Sequence, residues 1–242
     1  MNPIVLIPAR LGSTRLPGKV LEDIGGKPMI AHVLEQALAA KLGPVVVACC
    51  EAEVAAAVQT HGGIAVMTAP GLPSGSDRIF AALQSLDPEG HHDVVVNLQG
   101  DLPSIDPSYL AAVLKPLAHG YDIGTLVAPI TTAAERNAPS VVKCACAFVG
   151  EAEVAPALYF SRHLIPSGEG PFWHHIGIYA YRRAALARFV ALLPSPLEQR
   201  EKLEQLRALE AGMRIGAARV AEAPFGVDTP EDLERAREAL SQ

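Results

Sequence analysis

Residues 4–19 read IVLIPARLGSTRLPGK. The first four are apolar and mostly β-branched, which is the composition of a buried strand. Pro8 to Lys19 then brings together Arg10, Arg15 and Lys19, the hydroxyls of Ser13 and Thr14, and two glycines. In an open α/β sheet, ligands collect beyond the carboxyl ends of the strands. A loop at such an end, with glycine backbone N–H groups and three cations, suits phosphate oxygens. It is not a Walker A loop: Gly12 to Gly18 is one residue too long, and Val20 stands where Ser or Thr is required. No G-x-G-x-x-G follows the strand, which counts against a dinucleotide-binding fold.

Outward from this stretch, short apolar runs alternate with helical patterns. Pro28 to Ala40 carries Met29, Ile30, Val33, Leu34, Ala37 and Leu38 at helical spacing. Strands are expected at Val45–Ala48, Ile64–Met67 and Asp93–Leu98. Helices are expected over 51–61, 76–86 and 107–117, with Ser74 or Ser76 as a cap. This alternation implies a parallel sheet covered on both faces. After Gly120 the rhythm changes. Residues 123–130, 141–149, 159–161 and 175–181 read as strands with no helix between the first two, a β-rich excursion over about 120–181 within a single domain of 1–242. Helices resume at 182–192 and 196–211, then a strand at 215–220. A closing helix at 230–240 starts at Asp228-Thr229-Pro230-Glu231, with Pro at its first position. Pro166 to Pro171 reads as a loop.

The chain has 242 residues, half of them hydrophobic, 19% charged, and a net charge of −6. Such a chain buries enough surface to need no disulfide or structural metal. Its acidity ranks nucleic-acid binding low, so acidic ligands must meet local cations or a metal ion. No run of 18 apolar residues suggests a membrane span. The N-terminus lacks the basic region of a signal peptide and reads as a strand. Cys49, Cys50, Cys144 and Cys146 fit neither a disulfide framework nor a zinc knuckle. They are expected to be buried thiols in a reducing cytoplasm.

Six motifs appear in order: PARLGSTRLPGKVL (8–21), VNLQGDLP (96–103), ALYFSRHLIP (157–166), HIGIYAYR (175–182), PSPLEQREKLEQLRAL (194–209) and GVDTPEDLERAR (226–237). Together they resemble the 3-deoxy-manno-octulosonate (Kdo) cytidylyltransferase family over nearly the whole chain. The resemblance implies an α/β fold of the nucleotide-diphospho-sugar transferase kind, a mixed sheet covered by helices with a β-rich dimerisation excursion. It implies transfer of CMP from CTP to the anomeric 2-hydroxyl of Kdo, with release of pyrophosphate, for lipopolysaccharide synthesis in the cytoplasm. Mg²⁺ is the implied cofactor and a homodimer the implied assembly; no nucleic acid or membrane is implied as partner.

Residue by residue, the resemblance assigns the nucleotide to Pro8, Ala9, Arg10, Ser13, Arg15, Lys19, Ser74, Arg78 and Gln99. It assigns the metal to Asp101 and Asp228, and catalytic roles to Lys19, Arg10, Arg15, Asp101 and Asp228. The sugar falls to Arg162, His175, Tyr179, Glu204 and Gln205. The chemistry agrees. A triphosphate carries about four negative charges, and phosphoryl transfer is mostly positioning and charge stabilisation. An Arg can take the sugar carboxylate, while Tyr, Glu and Gln can read hydroxyls. His175 and Tyr179, four apart in an expected strand, share a face, and His174 points the other way. Glu204 and Gln205 fall on the polar side of an expected Leu-rich helix. Asp228 could alternatively cap the closing helix.

The chain departs from the family pattern at Cys49–Cys50, where Thr-Asp is usual, at Leu102 in place of Glu, and at Ala138-Pro139-Ser140 in place of Asn-Pro-Asn. Its loop before His174 is shorter, and Gly168, Glu169 and Gly170 supply no basic residue. The rival sugars are therefore 8-amino-8-deoxy-Kdo or a sialic-acid relative. The rival class is a non-catalytic nucleotide-binding protein, against which Lys19, Asp101 and Asp228 stand together.

Overall fold

The computed structural model describes residues 1–12 and 16–240. The chain forms two compact units, Met1–Leu110 with Pro224–Gln242, and Ala111–Ala223.

The first unit contains β1 (Pro3–Pro8), β2 (Asp23–Ile24), β3 (Lys27–Pro28), α1 (Met29–Ala39), β4 (Val45–Cys49), α2 (Ala52–Thr60), β5 (Ile64–Met67), α3 (Gly75–Leu86) and β6 (Val94–Asn97). α4 (Ser108–Ala112) follows. The strands run in the order β5-β4-β1-β6, all parallel, with Val5 opposite Val45 and Val96. β1 and β4 are buried on both faces, so they are continuous apolar runs and not alternating ones. β5 is the edge strand, and its Ile64 and Met67 are exposed. α1 buries Met29, Ile30, Val33, Leu34 and Ala37 as its spacing requires, but Leu38 lies on the exposed side. That residue is a correction to the expected apolar stripe.

The second unit contains α5 (Lys115–Ala118), β7 (Ile123–Pro129), α6 (Ala133–Asn137), β8 (Lys143–Ala145), β9 (Val154–Pro156), β10 (Tyr159–Ser161), β11 (Trp173–Arg182), α7 (Arg183–Val190), α8 (Pro196–Glu201), α9 (Leu206–Glu210) and β12 (Ile215–Arg219). β7 lies between antiparallel β11 and parallel β12. β9 pairs with β12, and β8 pairs with β11 and β10, all antiparallel. The sheets are thus mixed α/β in character, as expected.

Four expectations need correction. The excursion is not free of helix, because Thr132 and Glu135 form a capping box that starts α6. The expected strand over 141–149 is only three residues long. The expected helix over 196–211 breaks into α8 and α9, because Lys202 adopts a left-handed conformation, φ +57°. The 107–117 segment is likewise split into α4 and α5.

The chain returns to the first unit for its last helix, α10 (Pro230–Leu240). Val227, Leu233 and Ala236 pack with Ile24 and Met29. Val227 N also donates to Asp101 O, 2.9 Å. These contacts fix the segment that carries Asp228 beside the end of β6.

Candidate functional site

β1 and β6 both end at one side of the first unit, and the loops after them enclose a cavity of about 320 Å³. Its wall includes Pro8, Ala9, Arg10, Lys19, Ser74, Arg78, Gln99, Asp101 and Asp228. These are all the described residues that the sequence assigned to nucleotide or metal. Ser13 and Arg15, assigned with them, lie outside the described residues. Gly12, Val20, Gly75 and Gly100 also line the cavity. Gly100 is there for space: a Cβ would stand 3.2 Å from Pro8 O. Gly18, at φ +75°, a conformation that favours glycine, donates its N–H to Leu11 O at 2.9 Å.

Lys19 occupies the centre. Its Nζ donates to Asp101 Oδ2 at 2.7 Å, Asp228 Oδ1 at 2.9 Å and Val227 O at 3.0 Å, which uses all three N–H bonds. Burial opposes the charge on Lys19, but the two carboxylates outweigh it and hold its pKa above the usual value. The two Asp side chains therefore converge on one cation position. Asp228 is not the helix cap: Thr229 Oγ1 accepts from Asp232 N at 3.2 Å.

α3 contributes the next wall. Ser74 is its N-cap and accepts from Asp77 N at 3.2 Å. One turn in, Arg78 is buried, with Nη1 on Thr68 Oγ1 at 2.5 Å. Its Nη2 is buried and has no hydrogen-bond partner among the described residues. A buried guanidinium nitrogen in a cavity wall is a donor suited to a ligand oxygen. Gln99 Nε2 donates to Asn97 Oδ1 at 3.3 Å, which leaves its carbonyl oxygen as an acceptor. Glu51 Oε1 accepts from Leu11 N and holds the start of the loop after β1, a contact the sequence did not suggest. Arg10 is exposed at the cavity wall.

Of the cysteines, Cys49, Cys144 and Cys146 are buried as expected, but Cys50 is only partly so. Burial, then the charge of Glu51, pushes the Cys49 thiol up to about 11, so it is not a nucleophile at neutral pH. Among the described residues, no group of three His, Cys, Asp or Glu side chains is placed to hold a metal without help from a ligand.

The second unit gathers most of the residues assigned to the sugar. His175 lies on β11 with its ring 5.5 Å from that of Tyr179 and 4.8 Å from Phe160. The register shifts between Ile176 and Tyr179, and the two rings still meet despite this bulge. Thr125 Oγ1 lies 3.1 Å from His175 Nε2, and 3.1 and 3.0 Å from the carbonyls of Ile176 and Ile178. The single Thr proton goes to a carbonyl, so neutral His175 donates from Nε2 and keeps Nδ1 as an acceptor. Burial, with the neighbouring His174, pushes the His175 pKa down to about 3. Burial also raises the Tyr179 phenol, helped by Tyr181 and Glu204, so it remains a neutral donor.

Glu204 and Gln205 are not on a helix face, as the Leu-rich pattern suggested. They form the turn between α8 and α9. Gln205 Nε2 is buried without a partner among the described residues. Arg162 stands apart from the ring cluster in its contacts. It donates to Glu201 O, Pro139 O and Lys202 O at 3.1, 3.0 and 3.4 Å. Thr125, Phe160 and Glu201 were missed, because nothing in their spacing distinguishes them from core and surface residues.

A family model described as cytidylyltransferase matches residues 4–215. A 3-deoxy-manno-octulosonate cytidylyltransferase of Parvibaculum lavamentivorans is 59% identical over 242 residues, covering 100% of this chain and 93% of the relative. One from Methylobacterium nodulans is 60% identical over 241 residues, covering 99% and 97%. A solved structure of CMP:2-keto-3-deoxy-manno-octonic acid synthetase complexed with CTP superposes with a TM-score of 0.90 at 41% identity, covering 100% of this chain and 99% of that one. Similarity at this level, end to end, leaves the six motifs in their family setting, and the chain belongs to the 3-deoxy-manno-octulosonate cytidylyltransferase family.

Proposed function

We infer that the chain transfers CMP from CTP to the anomeric 2-hydroxyl of Kdo and releases pyrophosphate, a step towards lipopolysaccharide. The observation that carries this reading is the convergence of Lys19, Asp101 and Asp228 at the end of β6, in a cavity whose wall also holds Arg10, Arg78 and Gln99. No protein nucleophile is needed, because the sugar hydroxyl attacks the α-phosphate itself.

Lys19 is held protonated by its acidic neighbours and brings positive charge to the triphosphate, as Arg10 does at the cavity wall. Arg78 Nη2 offers a buried donor to a ligand oxygen. The Gln99 carbonyl oxygen can accept from the exocyclic amine of cytosine, which uracil lacks. Ser13 and Arg15 belong to the same loop and carry their assignment by resemblance. On the sugar side, His175 Nδ1 accepts a hydroxyl proton and Tyr179 donates one, while Glu204 and Gln205 offer an acceptor and an amide.

Mg²⁺ fits this donor set. The Asp101 and Asp228 carboxylates stand close together on either side of the Lys19 ammonium and remain partly exposed, and Mg²⁺ is commonly bound by one or two carboxylates plus substrate phosphates. When bound, the ion supplies charge neutralisation and Lewis acidity at the phosphates.

The remaining properties are proposals. Among the described residues no helix is long and apolar enough to cross a membrane, and with four free cysteines this favours the cytoplasm. Val149, Leu158 and Leu164, all in the 120–181 stretch, are exposed. Such residues favour a homodimer through that stretch, and a monomer mass in light scattering at micromolar concentration would contradict it. The sugar is tested by initial rates with Kdo, 8-amino-8-deoxy-Kdo and a sialic acid. Kdo should give the highest kcat/KM, and a preference for either rival would replace it.

A further inference from the structure

One buried cation in the second unit has no part in the reaction as derived. Lys143 begins β8 and has no exposed surface. Its Nζ donates to Ala138 O at 2.7 Å and to Arg162 O at 3.1 Å. No carboxylate pairs with it among the described residues, and burial lowers its pKa. An ammonium placed in the interior without a counter-ion is costly, so its neighbours indicate what it is for.

Each neighbour leads to a sugar-side residue. β8 pairs with β11 at Lys143 and His174, and His175 N donates to Val142 O at 2.8 Å. Arg162, whose carbonyl Lys143 holds, donates from Nη1 to Pro139 O, next to the Ala138 carbonyl that Lys143 also holds. Its Nε and Nη2 hold the carbonyls of Glu201 and Lys202. The Glu201 carboxylate in turn accepts from Ser161 Oγ at 3.0 Å and from Arg162 N at 3.2 Å. Lys202 is the left-handed residue that ends α8, and Glu204 and Gln205 follow two and three positions later. One network therefore joins the strand of His175 to the turn of Glu204 and Gln205.

We propose that Lys143 is a positioning residue for the sugar. It works through Arg162 to fix the Glu204–Gln205 turn relative to the His175–Tyr179 pair, without touching the ligand. Arg162 belongs to the same frame, since its Nε, Nη1 and Nη2 each donate to a backbone carbonyl. The role rests on the sugar-transfer reading above, and it places the selectivity for an acidic sugar in a buried frame behind the contact residues.

The test is steady-state kinetics of Lys143→Met, which keeps the length of the stem and removes the charge and donors. KM for Kdo should rise about tenfold while KM for CTP stays within about twofold, with circular dichroism unchanged. A folded variant with unchanged KM for Kdo, or with equal losses for both substrates, would overturn the role. If Lys143→Met does not fold, Arg162→Gln decides, because it cuts the same network from its half-buried end: the same split supports the frame, and an unchanged KM for Kdo overturns it. The wild-type enzyme is assayed alongside. Absence of turnover with Kdo there would overturn the sugar reading and this role with it, whereas an active wild type with unshifted variants would overturn this role alone.

Discussion

Lys19 and Asp228 are 209 positions apart in the chain, and Lys19 Nζ lies 2.9 Å from Asp228 Oδ1. The contact joins the loop after the first strand to the segment before the last helix. Asp101 completes it from the end of β6. Asp101 and Asp228 remain partly exposed, at 30% and 44% of their side-chain surface, so the cluster is open to ligand and screened by water.

Lys19→Met should therefore affect chemistry far more than folding. Losing a fixed positive charge beside the developing negative charge is worth roughly 3–4 kcal/mol in the transition state, so kcat/KM for CTP should fall by about 100-fold or more. The melting temperature should move by only a few degrees. Kinetics and a thermal melt on the same preparation check this, and a variant with near-normal kcat/KM would contradict it.

Asp228→Asn and Thr229→Ala separate the carboxylate from the helix cap. Thr229 caps α10 through Asp232 N, so its removal should cost about 1 kcal/mol of stability and leave turnover nearly intact. Asp228→Asn should do the reverse, keeping stability and losing activity by orders of magnitude. Urea unfolding and initial rates on both variants provide the comparison.

His175 gives a pH signature. Its folded pKa, about 3, lies below the unfolded value of about 6.5. Between those values the unfolded chain binds the proton and the folded chain does not. The contribution is complete above about pH 6.5 and is lost as pH falls towards 3, at up to about 1.4 kcal/mol per pH unit. His175→Gln should flatten the loss of stability between pH 7 and pH 5. Parallel urea-stability curves for wild type and variant over that range would contradict the assignment.

The corner that presents Glu204 and Gln205 is held by Arg207, whose Nε and Nη2 lie 2.8 and 2.5 Å from the Glu198 carboxylate. Burial opposes the charge on Glu198, but bonds from Arg207 and Ser195 N outweigh it and lower the pKa. Its contribution is present above the unfolded carboxyl pKa and is lost as pH falls through the lowered folded value. Arg207→Met leaves a largely buried carboxylate unpaired and should destabilise the fold by about 3 kcal/mol. An unfolding midpoint unchanged at pH 7 would contradict this.

The parallel strands of the first unit were legible because buried strands are continuous apolar runs bounded by Gly and Pro; Val45–Ala48 was placed to within one residue of the fully buried β4. The cavity beyond β1 and β6 was legible because its cations and carboxylates sit in loops at strand ends, within recognisable motifs. The break at Lys202 was not, since a lysine forced to positive φ by its surroundings leaves no mark in the Leu spacing. Nor was the burial of Lys143: a lysine at a strand start reads as solvated, and only the carbonyls of Ala138 and Arg162 give its ammonium a place. Arg162 was visible through its motif, but its commitment to three distant carbonyls depends on tertiary structure alone.

The most direct measurement is pyrophosphate release by the purified chain, with the second product identified by mass spectrometry. Pyrophosphate should appear only when CTP, Kdo and Mg²⁺ are all present, in equal amount to CMP-Kdo. Pyrophosphate formed equally without Kdo, or no product with all three present, would contradict transfer of CMP to this sugar.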